Sequence, residues 1–150
     1  MSTQPAVVTS ATSLTVRRTF KAVRAKVFQA VADRGKLLKW FAPDALDATI
    51  HAWDVRTGGR YDVETHWKTG PARNRGVFEE VVTNQRIVMT WELLHTPGGT
   101  GTTRVTWVFN NAAGGGCEVV LVHEGFPSRE SMQIHADGWV GCLDELQKLL

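Results

Sequence analysis

Two side chains capable of acid–base chemistry end an apolar run near the C-terminus. Residues 119–126 read VVLVHEGF, and His123 and Glu124 are the titratable members. An imidazole beside a carboxylate could move protons to and from a substrate. In a strand, however, neighbouring side chains point to opposite faces, so these two groups diverge. We expect His123 on the inner face with Val119 and Leu121, and Glu124 on the outer face.

An inward-facing His123 needs a hydrogen-bond partner, because an unpaired buried polar group costs about 1–3 kcal/mol. A backbone carbonyl, a hydroxyl or a water would give the residue a structural role, and this is the role we favour. Contact with a ligand or a substrate is the alternative. Other acid–base candidates on inner rows of the predicted strands are Tyr61 and Thr65. His51 lies either on an inner row or in water at a strand end, and the alternation around Glu80 is compatible with either face.

The sequence carries no motif for metal, nucleophilic or phosphate chemistry. Its five histidines are dispersed, and Cys117 and Cys142 form no CxxC pair, so we expect no metal and two reduced, buried thiols. There is no GxSxG elbow and no GxxxxGK loop. We therefore predict no catalytic residues and no cofactor, and lean against an enzyme.

Length and charge limit the protein class further. A chain of 150 residues with a net charge of +2 suits one domain, and its Lys and Arg are scattered rather than clustered, so we expect no nucleic-acid partner. No stretch is apolar enough for a signal peptide or a membrane span, which favours a cytoplasmic location. Residues 1–13 are predicted to form a flexible leader, and residues 14–150 a single domain.

Hydrophobic periodicity predicts the elements that position these side chains. Residues 14–20 alternate as a strand, and two short helices follow before Pro43. Period-two patterns then predict six strands, at 47–56, 60–68, 75–83, 86–94, 102–110 and 117–124. In the predicted strand over residues 47–56, His51 and Trp53 share a face. Together these strands form an antiparallel sheet that buries one face.

The last segment is the clearest helix, and it must cover that buried face. Its apolar stripe steps by three and four residues, and Ser128 is its predicted N-cap. The stripe consists of Met132, Ala136, Trp139, Leu143, Leu146 and Leu150. Gly138 and Gly141 lie within this helix at a cost of up to about 1 kcal/mol each relative to Ala. They indicate either close backbone approach or space left beside Trp139.

The chain resembles a known family at several stretches in unbroken order. These are RTFKAVRAKVFQAVADRGKLLKWFAP, GGRYDVE, GVFEEVVTNQRIVMTWEL, TRVTWVF, CEVVLVHEGF and GWVGCLDELQKLL. They are similar to the activator of heat-shock-protein (Hsp90) ATPase homologue family, within the SRPBCC superfamily, also called START or Bet v 1-like. The resemblance covers about residues 14–150.

The resemblance implies an α+β helix-grip fold. A curved antiparallel sheet of about seven strands would surround a long C-terminal helix, with two short helices after the first strand. It also implies a cavity between sheet and helix, suited to apolar small molecules or lipids. In this family Trp40 and Phe41 match an aromatic pair near the cavity mouth, and His123 matches the H-x-G that closes the last strand.

Three functions follow as hypotheses. The first is a binding protein for a small hydrophobic or amphipathic molecule, which would be contacted by Trp40, Phe41, Trp53, Tyr61, Met89, Trp91, Trp107, Leu121, His123 and Trp139. The same side chains could instead fill the interior, because aromatic residues at period two are first of all core. The second is a cyclase- or dehydratase-like enzyme that uses a pocket histidine. The third is a protein-interaction role, either co-chaperone-like, as in a stress response, or as a homodimer.

Overall fold

The structure is a computed structural model that describes residues 6–94 and 99–150. Within these residues it contains one antiparallel sheet of eight strands, a long C-terminal helix and two short helices. The strands are β1 (Ala6–Thr9), β2 (Ser13–Phe20), β3 (Asp47–Trp53), β4 (Arg60–Trp67), β5 (Gly70–Val82), β6 (Arg86–Leu94), β7 (Gly101–Asn111) and β8 (Cys117–Glu124). The helices are α1 (Arg24–Ala32), α2 (Arg34–Trp40) and α3 (Arg129–Gln147).

The sheet is an open, curved meander completed by an early strand. Its order is β1-β2-β8-β7-β6-β5-β4-β3, so β2 pairs with β8, the last strand in the chain. Helices α1 and α2 connect β2 to β3 at the opposite edge of the sheet. Helix α3 lies against the inner face, where it meets β2 and α2. This architecture confirms the predicted α+β helix-grip fold.

Residues 1–5, at the start of the predicted leader, lie outside the described residues. The prediction of a flexible leader is wrong for Ala6–Thr9, which forms β1 at the sheet edge and pairs with β2. All four of its residues are exposed, so the strand has no buried face and leaves no alternation of apolar and polar residues. The turn into β2 is closed by the backbone N–H of Ser10, which donates to the carbonyl of Ser13 at 2.9 Å.

Strand β5 begins earlier than its sequence pattern indicates. Gly70 and Pro71 read as turn residues, yet both pair with β4, and Pro71 lies near the start of the strand, where the missing N–H is tolerated. The β4–β5 hairpin is therefore longer than predicted. It brings Ala72 and Asn74 onto the inner face, in place of the predicted loop over residues 69–74.

The long helix α3 begins and packs as its pattern predicts. The side chain of Ser128 accepts the backbone N–H of Ser131 at 3.1 Å and caps the N-terminus. Met132, Leu143 and Leu146 are almost completely buried against the sheet. No helix of the described residues is long and apolar enough to cross a membrane.

Candidate functional site

A cavity of about 380 Å³ lies between α3 and the inner face of β4–β6. It has three walls, formed by one face of α3, by the loop after α2, and by the sheet. The helix contributes Ile134, His135, Asp137, Gly138, Trp139, Gly141 and Cys142. The loop contributes Phe41, Ala42, Pro43 and Asp44, and the sheet with its hairpin contributes Trp67, Thr69, Ala72, Asn74, Trp91 and Leu93.

Aromatic rings form much of this lining. The ring centroids of Trp91 and Trp139 are 5.0 Å apart, and that of Phe41 lies 5.9 Å from that of Trp91. These tilted contacts hold the rings against one another. A rigid apolar lining with a few polar groups is the usual composition of a small-molecule site, and the volume lies at the low end of the range of about 300–1,000 Å³.

The indole N–H groups of this lining are bonded to the protein rather than directed at the cavity. Trp139 Nε1 donates to Nδ1 of His123 at 3.0 Å, and Trp91 Nε1 donates to Nε2 of His135 at 3.2 Å. Trp67 Nε1 donates to the hydroxyl of Thr65 at 2.8 Å. The orientation of each indole is therefore fixed by a hydrogen bond behind it.

His123 is the centre of a closed chain of hydrogen bonds. Because its Nδ1 accepts from Trp139, its Nε2 carries the proton and donates to the hydroxyl of Thr103 at 2.7 Å. That hydroxyl donates in turn to the carbonyl of Trp91 at 2.8 Å. The imidazole is fully buried, and Glu124 on the outer face is exposed. The structure thus gives His123 the hydroxyl partner that a structural role requires, and it confirms that the two groups diverge.

A second buried imidazole, His135, borders the cavity and was missed by the sequence pattern. Its Nδ1 donates to the carbonyl of Ser131 at 2.8 Å, so its Nε2 is the acceptor for Trp91. Burial lowers the pKa of His135, and it lowers the pKa of His123 well below the ordinary value of 6.5, with the nearby His135 acting in the same direction. Both rings are therefore neutral in the folded protein near neutral pH.

The predicted ligand-contact residues fall into two groups. Phe41, Trp91 and Trp139 line the cavity. The others do not line it and are buried in the core: Trp40, Trp53, Tyr61, Met89, Trp107, Leu121 and His123. Ligand contact remains a prediction for the first group.

The core residues are held by one another and by α1. Trp40 and Trp53 donate their indole N–H groups to the carbonyls of Ala30 and Ala32, at 3.2 and 3.1 Å. Trp107 packs edge-on against Trp40, with ring centroids 5.8 Å apart. Aromatic residues thus fill the end of the domain near α1, and the space that remains is beside the middle of α3.

The acid–base candidates are not brought together. Tyr61 donates its hydroxyl to the carbonyl of Thr90 at 2.7 Å, and burial raises its pKa well above 10. His51 is exposed on the outer face, because a β-bulge between Ile50 and Ala52 breaks the alternation that places it with Trp53. Glu80 pairs with an arginine at the surface. The predicted inner-face position of His51 is wrong.

His51 instead belongs to a charged cluster on the outer face. Its Nε2 lies 3.1 Å from one carboxylate oxygen of Glu64, whose other oxygen lies 3.1 Å from Nε2 of His66. The nearby carboxylate of Asp47 raises the pKa of His66, and the hydrogen bond from His51 lowers the pKa of Glu64. No group of three or more potential metal ligands occurs in residues 6–94 and 99–150.

The two helix glycines border the cavity. A Cβ at Gly138 would meet no atom within 4 Å, and one at Gly141 would meet Pro43 at an ordinary 3.7 Å. Of the two explanations predicted from the sequence, space beside Trp139 applies and close backbone approach does not. The two glycines destabilise the helix relative to Ala, but they leave the cavity wall without side chains at these two positions.

The class of the protein follows from this arrangement. A curved antiparallel sheet with a long C-terminal helix on its inner face is the helix-grip fold, here with an aromatic cavity beside the helix. The family described as Activator of Hsp90 ATPase homolog 1-like protein matches residues 21–150, and the chain belongs to this family and so to the Bet v 1-like superfamily.

Solved structures share the fold at low sequence identity. A protein from Chromobacterium violaceum is 24% identical, with a TM-score of 0.82 over 92% of this chain and 96% of its own. One from Rhizobium loti is 24% identical, with a TM-score of 0.80 over 97% and 99%. A protein of the same family from Silicibacter pomeroyi is 21% identical, with a TM-score of 0.76 over 91% and 96%. No curated protein matches the chain in sequence.

Proposed function

We propose that the protein binds a small hydrophobic or amphipathic molecule in the cavity beside α3. The observation that carries this proposal is the cavity of about 380 Å³, whose lining includes Phe41, Trp91 and Trp139. The fixed indoles support it, because a preformed wall loses little conformational freedom when a ligand binds. Gly138 supports it as well, because bulk is missing where the helix faces the opening.

The enzyme alternative finds no comparable support. His123 is enclosed, and both ring nitrogens of His135 are engaged within the protein. A general acid or base must reach its proton at about 3 Å. Neither imidazole is free to do so without breaking the hydrogen bond that orients Trp139 or Trp91. We therefore infer that both histidines support the cavity wall by holding Trp139 and Trp91 in place.

Blocking the cavity from two opposite walls tests the proposal. Ala72→Leu adds bulk from the sheet, where Ala72 is 2% exposed, and Gly138→Phe adds bulk from the helix. The probe is a neutral naphthalene derivative, titrated by calorimetry and by the change in Trp fluorescence. We expect the parent to bind it and both variants to lose at least about tenfold in affinity.

Two variants control for changes that do not fill the cavity. Gly138→Ala adds a single methyl group in open space and should retain binding. Gln133→Phe places the same ring on an exposed helix position outside the cavity lining and should bind as the parent does. Equal binding by the parent and by both blocked, folded variants would place the ligand elsewhere and refute the proposal.

A further inference from the structure

A polar side chain on the inner face has an amide nitrogen that is unpaired within the described part of the chain. Asn74 lies in β5, opposite Val63 of β4 and Leu93 of β6, and it is 5% exposed. Its Nδ2 has no hydrogen-bond partner among the described residues, a condition that it shares with Nε of Arg18. Of these two residues, Asn74 lines the cavity. A buried amide in an apolar wall is costly unless something accepts its protons.

The remaining buried polar groups of the wall are satisfied. The indoles of Trp67, Trp91 and Trp139 donate within the protein, and both nitrogens of His135 are bonded. The amide of Asn74 is thus the unmatched buried donor among the described residues that line the cavity. A ligand that reaches the buried part of the sheet wall would meet aromatic and aliphatic side chains together with this amide.

Charge at the cavity narrows the ligand further. No Lys or Arg occurs among the described lining residues, whereas Asp44 and Asp137 are exposed at the rim. The one imidazole of the lining, His135, uses both nitrogens in hydrogen bonds to neutral groups. A carboxylate or phosphate would lose its hydration in the cavity and find no positive side chain there to compensate. It would also be repelled by the two carboxylates at the rim, and both effects oppose its binding.

We propose that the cavity takes an uncharged aromatic molecule whose carbonyl oxygen accepts a hydrogen bond from Nδ2 of Asn74, and that anionic molecules of the same shape are rejected. The inference rests on the proposed function and narrows its ligand class. The rings of Trp91, Trp139 and Phe41 would hold the aromatic part, and Asn74 would orient the oxygen toward the sheet. Specificity is then a difference between neutral and anionic acceptors.

Three naphthalene probes of nearly equal shape separate these contributions. Acetylnaphthalene carries the neutral acceptor, isopropenylnaphthalene replaces the oxygen by carbon, and naphthoate carries an anion. For the parent protein we expect acetylnaphthalene to bind about 3- to 10-fold more tightly than isopropenylnaphthalene, the worth of one net hydrogen bond. Naphthoate should bind at least about tenfold more weakly than acetylnaphthalene.

The variant Asn74→Leu removes the donor and keeps the number and branching of the side-chain heavy atoms. In it the preference for acetylnaphthalene over isopropenylnaphthalene should disappear, and this ratio of affinities is the quantity measured. Asn111→Leu makes the same change on the exposed end of β7 and should keep the parent preference. As a measurement independent of any variant, the side-chain amide resonance of Asn74 should shift when acetylnaphthalene is added, and much less with isopropenylnaphthalene.

The outcomes distinguish this inference from the function on which it depends. If the neutral probes bind with equal affinity to the parent, or naphthoate binds most tightly, the role of Asn74 is refuted while a binding cavity remains. If none of the three probes binds to the parent, the proposed function fails for this class of molecule, and the inference fails with it.

Discussion

The two buried histidines should make the protein less stable as the pH falls below about 6.5. Burial lowers the pKa of both His123 and His135 from an ordinary value of 6.5, so the unfolded chain binds more protons than the folded one below that pH. Stability therefore rises with pH in this window. The contribution is fully present above the unfolded pKa and is lost as the pH falls toward the folded values.

The magnitude follows from proton binding to the unfolded chain. Between about pH 7.5 and about pH 5.5, each imidazole that stays neutral in the fold lowers the free energy of unfolding by about 1.4 kcal/mol at most. For both residues the limit is about 2.7 kcal/mol. His123 should approach its share more closely, because its pKa is lowered well below the ordinary value while that of His135 is simply lowered.

Urea unfolding followed by Trp fluorescence at about pH 7.5, 6.5 and 5.5 measures this slope. His123→Gln should unfold more easily at every pH, because Trp139 loses its acceptor, but its loss of stability on acidification should be at most about half that of the parent. His66→Gln is the control of opposite sign, since the pKa of His66 is raised and its contribution is lost as the pH rises. An unchanged slope in His123→Gln would show that this imidazole accepts a proton in the folded state, contrary to its burial.

Further expectations concern single side chains. Thr103→Val removes the hydroxyl between His123 and the Trp91 carbonyl and should cost about 1–3 kcal/mol in urea unfolding; a neutral effect would mean that the hydrogen-bond chain adds nothing. Gly138→Ala should stabilise by up to about 1 kcal/mol, whereas Gly76→Ala should destabilise, because its Cβ would lie 2.3 Å from the Thr90 carbonyl oxygen; thermal unfolding should give this order and not the reverse. Without ligand, the free energy of unfolding of Asn74→Leu in urea should exceed that of the parent by about 1–3 kcal/mol; no increase would mean that the amide is hydrogen-bonded in solution.

The fold could be predicted largely from pattern, because alternation along β6 to β8 and the stripe along α3 report burial directly. The same patterns do not show where side chains fail to fill space. Trp107 and Trp139 both lie inward, and nothing in their spacing tells that one packs in the core and the other lines a cavity. That difference depends on α1, whose carbonyls hold Trp40 and Trp53 at the opposite end of the domain.

Asn74 could not be predicted for a different reason. The residues around it, from Gly70 to Gly76, are small or polar and have the composition of a turn, and their strand character comes from pairing with β4 and β6. His135 was within reach of the sequence, since it lies three residues after Met132 and four before Trp139 on the same helix face. Adding it to the apolar stripe would have placed an imidazole beside the cavity.

The tethering of Trp91 and Trp139 to histidines behind them affects how the site would discriminate. Because the Nε1 atom of each indole is hydrogen-bonded within the protein, both rings present hydrocarbon faces to the cavity. The positions of these faces are fixed before a ligand binds. In the proposed complex, the tryptophans would select the shape of the ligand, and the amide of Asn74 would select its polarity. The two can change independently in the course of evolution, so that a new molecular contour would require no new hydrogen bond.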